Sequence, residues 1–558
     1  KRGAFPDPDR RIFINTDVCE GCGDCGVQSN CVSIVPVETE LGRKRAVDQS
    51  SCNKDFSCVK GFCPSFAWVE GATLKKGAGV AVDIDALAAA LPDPARPVLT
   101  ATHNVLITGI GGFGVTTLGA VLAMAGHIEG IAASTLDMTG LAQKNGPVTS
   151  HVRFAPIGHQ IEGPRVPAGA LDTLIASDML VACNAESLAM LSPERTLGVV
   201  NTKVQPTAEF VMKRTQSFDE ARMGATLREG TRTIEAKDVA MIAAKLFGDQ
   251  IFMNMILVGM AYQHGGLPVS AQAILQAIAL NGAAVEMNTA AFKAGRVLAA
   301  NPQAITAALA PPEPAREMDL DARIAFLTAE LTAYQDARYA ARFTDAIAAL
   351  HSADLREGKG EALTRIAAES LFKAMAYKDE YEVARLTGDK AYWDRLRTEF
   401  DNPKAVRLML APPLLSRIDP ATGRPKKRAF GPWVFPVLRA LARLKGLRGT
   451  RFDPFGWTDE RIKERALIAT VLEDIALAAS KVGAVPYGTL CDLLGVTARI
   501  KGFGPVKEAN RAEALAERDR LLARVSRRAR PLIVQRRRPQ SGSEHREPTP
   551  TSIGSIPA

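Results

Sequence analysis

The chain is predicted to be a multidomain protein: a small cysteine-rich module, an α/β domain opening on a glycine loop, a mainly α-helical C-terminal domain and a disordered tail. Three observations lead there. Seven of the nine cysteines fall between Cys19 and Cys63. A strand-like run, His103-Asn-Val-Leu-Ile-Thr108, is followed at once by the turn Gly109-Ile-Gly111-Gly112-Phe-Gly114 and by helical spacing from Val115 to Gly126. Beyond the proline break Pro311-Pro312-Glu-Pro314 the apolar spacing is helical, beginning with Ile324, Leu327, Leu331 and Tyr334. At 558 residues the chain exceeds what one core holds, about 250–300 residues. The domains read as 1–80, 100–310, 315–525 and a tail at 526–558 that is rich in Arg, Pro and Ser.

The cysteine module is the most informative stretch. Cys19-Glu-Gly-Cys22-Gly-Asp-Cys25 is a C-x2-C-x2-C run, which lets one loop present three thiolates to three corners of a cubane. In bacterial ferredoxins a remote Cys-Pro supplies the fourth ligand, and Cys63-Pro64 fits that part. The assignment is a ferredoxin-like [4Fe–4S] cluster on Cys19, Cys22, Cys25 and Cys63. Cys31, Cys52 and Cys58 leave only three thiols for a second cluster. They admit a non-cysteine ligand (Asp55 lies between the last two), a three-iron centre, or no metal at all. Zinc knuckles prefer paired C-x2-C arms, and disulfides belong to secreted proteins, which this chain does not resemble. Short strands are expected at Arg11–Asn15, Val32–Val37, Arg45–Val47 and Phe66–Val69, with linkers at Gly71–Gly79 and Pro92–Pro97. Modules of this kind are held together by their clusters, so loss of iron is expected to unfold this part first.

The glycine loop has two readings of equal weight. In its strand–turn–helix context, Gly109, Gly111, Gly112 and Gly114 form the G-x-G-x-x-G of a dinucleotide site, and Asp137, ending the next expected strand at Ile131–Leu136, stands where a ribose hydroxyl would be held. Alternatively the glycines only let strand and helix pack closely. Further on, Leu180–Asn184 and Gly198–Thr202 read as strands, and Ala185–Leu191, Ile234–Phe247, Asn254–His264 and Val269–Lys293 as helices. Cys183 reads as an inert core thiol. Asn254 and His264 face either a site or a polar interface.

Net charge is +9, but seven arginines crowd into Arg524–Arg538, so the folded part is closer to neutral. Pro425-Lys-Lys-Arg428 and Arg443-Leu-Lys-Gly-Leu-Arg448, with Phe430 and Trp433 between them, read as a solvated face or as contacts to another part of the protein, to RNA, or to cofactor phosphates. Nucleic acid is not the expected partner. The uncharged run Asn104–Gly126 is long enough for a bilayer, yet its six glycines argue for a buried strand, loop and helix. A cytoplasmic protein without membrane contact is expected. The chain opens at Lys1 with neither Met nor a signal-type apolar segment, as a piece of a longer polypeptide would.

Taken with Met138-Thr-Gly-Leu-Ala-Gln143-Lys144-Asn145-Gly146 and the strand Val148–Phe154, the glycine loop resembles the gamma domain of 2-oxoacid:ferredoxin oxidoreductases. The cysteine segment, with Ser51-Cys-Asn-Lys-Asp-Phe-Ser-Cys58 and Gly61-Phe-Cys-Pro64, is similar to that of the fused indolepyruvate ferredoxin oxidoreductases. The two motif sets occur in that family's order over Lys1 to about Arg296, and Arg323 to about Val525 resembles the family's appended helical domain. The resemblance implies oxidative decarboxylation of an aryl pyruvate such as indolepyruvate. Thiamine diphosphate with Mg carries the carbanion, the clusters pass electrons singly to ferredoxin, and coenzyme A takes the acyl group. Gly23-Asp-Cys, Gly248-Asp-Gln and Gly388-Asp-Lys do not complete a Gly-Asp-Gly motif. A thiamine-binding region of the same parent chain is therefore expected upstream, this chain alone is expected to be catalytically silent, and a homo-oligomer is expected. Two other classes are a standalone electron-transfer and docking module, and a nicotinamide-dependent oxidoreductase feeding hydride electrons to its clusters.

Overall fold

The computed structural model describes residues 8–31, 33–75, 82–140, 146–204, 219–307, 309, 318–358, 361–411 and 427–526. Its N-terminal module contains β1 (Arg10–Ile14), β2 (Ile34–Val37), β3 (Lys44–Val47), β4 (Phe66–Glu70) and β5 (Thr73–Leu74). β1 runs antiparallel to β4 with Ile12 opposite Trp68, and β2 pairs antiparallel with β3, Ile34 opposite Val47. The α/β domain follows with β6 (His103–Ile110), β7 (Ala132–Thr139), β8 (Pro147–Ala155), β9 (Thr173–Ala176), β10 (Leu197–Asn201) and β11 (Thr233–Lys237). These form one sheet in the order β11-β10-β9-β6-β8-β7. The four strands from β11 to β6 are parallel, whereas β8 is antiparallel to both β6 and β7. Burial on both sides of β6 and β9 explains their continuous apolar runs.

The helical region is not helix alone. It contributes β12 (Phe400–Asp401), β13 (Ala405–Leu410) and β14 (Arg428–Phe430), and all three add to the N-terminal module. β13 pairs antiparallel with β4, Leu408 opposite Ala67, and carries β14 on its far side, while β12 pairs with β5. Without β13, one edge of β4 would be open for foreign pairing. The face of this sheet is closed by Phe13, which meets Tyr392 and Phe400 edge-on at ring separations of 5.8 and 6.3 Å. Each such aromatic pair is worth about 0.5–1.5 kcal/mol beyond the area it buries. The remaining helices, among them Ala337–Glu357, Ala362–Met375, Asp459–Lys481, Tyr487–Val496 and Pro505–Ser526, share a core that includes Phe343, Leu371, Val471 and Leu493.

Three elements differ from the sequence reading. Leu180–Asn184 lies not in a strand but around the short helix Met179–Ala182, because Asp178 accepts from Val181 N at 2.9 Å and starts a turn; the sheet position beside β6 belongs to β9. Ile234–Phe247 divides into β11 and the helix Val239–Phe247, started by Asp238, which accepts from Met241 N at 2.8 Å. Val269–Lys293 breaks at Gly282, whose φ of 73° ends the helix Ala271–Asn281 before Val285–Ala300 begins. The proline break at 311–314, Lys426, and the tail beyond 526 lie outside the described residues, as do Gln143, Lys144 and Asn145.

The helices Met253–Gln263 and Val285–Ala300 cross at a pair of glycines. A β-carbon on Gly259 would stand 2.1 Å from Phe292 O, and one on Gly295 would stand 2.0 Å from Ile256 O. Both backbones are fixed by the surrounding core, so the clash cannot be relieved by one flexible side chain. Gly259→Val should therefore cost about 1–3 kcal/mol or more. Thermal denaturation that left the midpoint unchanged would show that the crossing is looser than described.

Candidate functional site

The cysteine loop is placed by Asn15, the residue that follows β1. Its backbone N–H donates to Ser65 O at 2.8 Å and its carbonyl accepts from Cys19 N at 3.0 Å. Its side chain donates to Leu386 O of the helical region at 3.0 Å. One buried residue thus fixes the start of the C-x2-C-x2-C run, the stretch just after Cys63, and the helices that cover them. Gly21 (φ 66°) lets the loop pass Arg43 O, which a β-carbon there would approach to 2.2 Å. Gly23 (φ 75°) opens the helix Asp24–Ser29 that carries Cys25.

The thiols sort into two groups. Burial raises the Cys25 thiol well above its ordinary range, and the neighbouring thiols that add to the effect are Cys19, Cys63 and Cys22. Burial likewise pushes Cys63 up to about 12, with Cys19 and Cys22 adding to it and Lys427 and the Ser65 hydroxyl, 2.8 Å from the sulfur, opposing it. Cys58 is also pushed up to about 12, by burial first and then by Cys31, Cys52 and Asp55. The structure therefore brings Cys19, Cys22, Cys25 and Cys63 together, and separately Cys31, Cys52 and Cys58. None of the nine cysteines is in a disulfide. Among the described residues no three His, Cys, Asp or Glu side chains converge on a single metal ion; a cubane instead takes each thiolate at a different iron.

Asp55 is exposed, and its Oδ1 accepts from Ser57 N and Ser57 Oγ at 2.9 and 2.7 Å. Lys54 and Phe56 flank it at φ 57° and 59°, a left-handed conformation that non-glycine residues seldom adopt. This turn presents Cys52 and Cys58 from either side.

Much of the surrounding charge and cover comes from far along the chain. Burial lowers the Arg45 guanidinium, and Cys25, Cys19 and Cys22 act against that. Burial would raise the Glu20 carboxyl, but Lys507, Lys373, Lys44 and Lys378 hold it below its ordinary value. A β-carbon on Gly502 (φ 107°) would lie 3.3 Å from Cys22 Cβ, and one on Gly504 would lie 2.5 Å from the Phe62 ring. Phe503 packs with Val18, Phe62 and Cys63. The helical region is thus a lid directly on the first thiol group. Within the second basic patch two residues are turned inward: Arg448 grips Asp379 at 2.5 and 2.9 Å beneath the Tyr334 ring, and Lys445 Nζ donates to Ala333 O at 2.6 Å, whereas Arg443 is exposed. These contacts favour internal structure over a nucleic-acid face.

The glycine loop is tied to its own domain. Gly111 N donates to Gly146 O at 3.0 Å, and a β-carbon on Gly109 would stand 2.6 Å from Val115 Cγ2. Gly112 and Gly114 have φ of 95° and 80°. Buried Asn254 donates to Phe113 O and accepts from Ser177 Oγ at 2.7 Å, locking the loop to β9 and to the helix Met253–Gln263. Asp137 is separated from β6 by the intervening β8, and its Oδ1 lies beside Gly119 in the middle of the following helix, 3.5 Å from where a β-carbon there would stand. In a dinucleotide fold the acidic residue ends the strand next to the glycine loop, so this arrangement favours close packing over nucleotide binding. His264 pairs with Glu235 away from the loop. Cys183 is half-buried beside Met223 O, 3.7 Å away.

A mixed sheet with a self-satisfied glycine loop thus stands beside a module that carries two groups of thiols. Residues 104–298 match the pyruvate ferredoxin/flavodoxin oxidoreductase family. Residues 320–520 match a family of unknown function, DUF6537. The chain is 26% identical over 208 residues to indolepyruvate oxidoreductase subunit IorB of Archaeoglobus fulgidus, covering 36% of this chain and 98% of that protein. It is 29% identical over 206 residues to the IorB subunit of Pyrococcus horikoshii, covering 35% and 94%. Among solved structures, the gamma subunit of a keto/oxoacid ferredoxin oxidoreductase from Geobacter sulfurreducens aligns at 22% identity over 36% of this chain and 98% of that chain, with a TM-score of 0.26. No helix among the described residues is long and apolar enough to cross a membrane.

Asn254 was legible only as a polar residue in a helix; its role as the tie of the glycine loop needed the contact with Phe113 and Ser177. Asn254→Ala should strand both partners and cost about 1–3 kcal/mol. Chemical denaturation is the check, and an unshifted midpoint would mean that the loop is held by other contacts.

Proposed function

We propose that this chain is the iron–sulfur and gamma portion of a 2-oxoacid:ferredoxin oxidoreductase acting on aryl pyruvates such as indolepyruvate. In this reading Cys19, Cys22, Cys25 and Cys63 hold a [4Fe–4S] cluster, and Cys31, Cys52 and Cys58 hold a second centre. The observation that carries it is the sorting of seven buried or half-buried thiols into one group of four and one of three, next to the domain that matches the oxidoreductase family. The donor set fits the group. Soft thiolates suit iron–sulfur clusters, and the glycines at 21 and 502 leave room for a close wrap. The clusters, when bound, supply one-electron transfer.

The protein's own residues do the rest. Asn15 fixes the loop and the Cys63 strand relative to each other, Phe503 and Gly502 keep water from the first group, and Arg45 and Lys427 offset its negative charge. Oxidative decarboxylation also requires a thiamine diphosphate site with Mg, coenzyme A as acyl acceptor, and ferredoxin as electron acceptor. The thiamine component is a partner or a further region of the same polypeptide. The nicotinamide alternative loses its local support from the position of Asp137 and the tied glycine loop.

Anaerobically purified protein should contain iron and acid-labile sulfide, with EPR signals on reduction. Cys22→Ser and Cys63→Ser should each lower iron content, and unchanged iron in both would contradict the ligand assignment. NADH alone should not bleach the clusters; anaerobic bleaching would restore the nicotinamide reading.

A further inference from the structure

Lys427 stands immediately before β14, the outer strand of the N-terminal sheet. Its Nζ donates to Val59 O at 3.1 Å and lies 4.9 Å from the centre of the Phe66 ring. Val59 follows Cys58, and Phe66 comes three residues after Cys63, so the ammonium touches the chain segments that carry one thiol of each group. Burial lowers it from the usual lysine range, while Cys63, Cys25 and Cys58, followed by Asp24, act in the opposite direction. Arg45 differs: the thiols it faces, Cys25, Cys19 and Cys22, all belong to the first group. Among the described residues, Lys427 is thus a cation in contact with segments of both groups.

Resting on the cluster reading above, we propose that Lys427 is a positioning residue for electron transfer, a fixed charge shared by the two thiol groups that raises the reduction potential of the clusters they hold. Each reduction adds one electron, and hence one negative charge, beside the ammonium. Coulomb attraction in a partly desolvated site favours that reduced state. The inference gives a role to the segment around β13 and β14, within the region of unknown function. That segment carries a cation into a module built mainly from the other end of the chain.

The test is an EPR-monitored redox titration of the full chain, purified without oxygen, with iron and sulfide measured on every sample. Lys427→Gln keeps a donor for Val59 O but removes the charge, and Lys427→Arg keeps the charge. The Gln variant should titrate at a more negative potential by roughly tenfold in the one-electron equilibrium, about 59 mV, while the Arg variant keeps the wild-type value. An unshifted Gln variant with full iron overturns the proposal, as do equal shifts in Gln and Arg. If Gln loses iron and Arg retains it, the charge is required for the site and the proposal stands. If both lose iron, Lys427 is a fold contact and the proposal falls. Wild-type protein without iron or sulfide would sink the cluster reading itself, an outcome separate from all of these.

Discussion

The pairing of β13 with β4 is the constraint on which the rest of the structure depends. β4 begins three residues after Cys63, and β1, its other neighbour, ends at Ile14 just before the loop to Cys19. The fourth thiol therefore reaches the first three only because β1 and β4 are held in register. β4 in turn is an interior strand only because residues 405–410 come back to cover its second edge. A cysteine-rich module of this size has little core of its own. Here Phe13 packs against Tyr392 and Phe400, so much of that core is supplied by the helical region.

Electrostatics follow the same division. Taking a charge out of water costs several kcal/mol per ion unless a partner offsets it. The cations near the thiols come from several elements: Arg45 from β3, Lys427 from before β14, and Lys373 and Lys507 around Glu20. Lys373 is itself buried enough to be lowered far from its usual range, and it holds Ala498 O at 2.6 Å. Lys507 meets buried Glu464 at 2.6 Å. Such a network is a poor way to gain stability, because well-packed apolar residues would do as well. Its placement sets positive charge around Glu20, between Cys19 and Cys22 in the chain.

The local parts of this arrangement were legible in the sequence, and the long-range parts were not. Thiol spacing and the Cys63-Pro64 pair are short motifs visible without any long-range contact, and in the structure Cys63 neighbours Cys19 and Cys22. The strand–turn–helix at Gly109–Gly126 was equally legible. In contrast, the pairing of Ala405–Leu410 with β4 joins residues more than 300 positions apart, so nothing local places it in the N-terminal sheet. Leu180–Asn184 misled because an apolar run of that length suits a buried strand or a buried helical turn equally; the arbiter was the cap at Asp178. Lys427 read as part of a solvated basic patch because the strand pairing that turns it inward joins residues more than 300 positions apart.

The glycine loop shows the complementary limit. Its motif occurs in the required context, and the acidic residue follows at a plausible distance, yet the meaning of both depends on sheet order. Insertion of β8 between β6 and β7 moves Asp137 one strand away from where a ribose would be held. Asn254 then occupies the hydrogen-bonding capacity of Phe113 O at the turn. The same glycines serve packing instead: Gly109 admits Val115, and Gly119 admits Ser150. A glycine loop therefore identifies a tight strand-to-helix passage in this chain, held by contacts within its own domain.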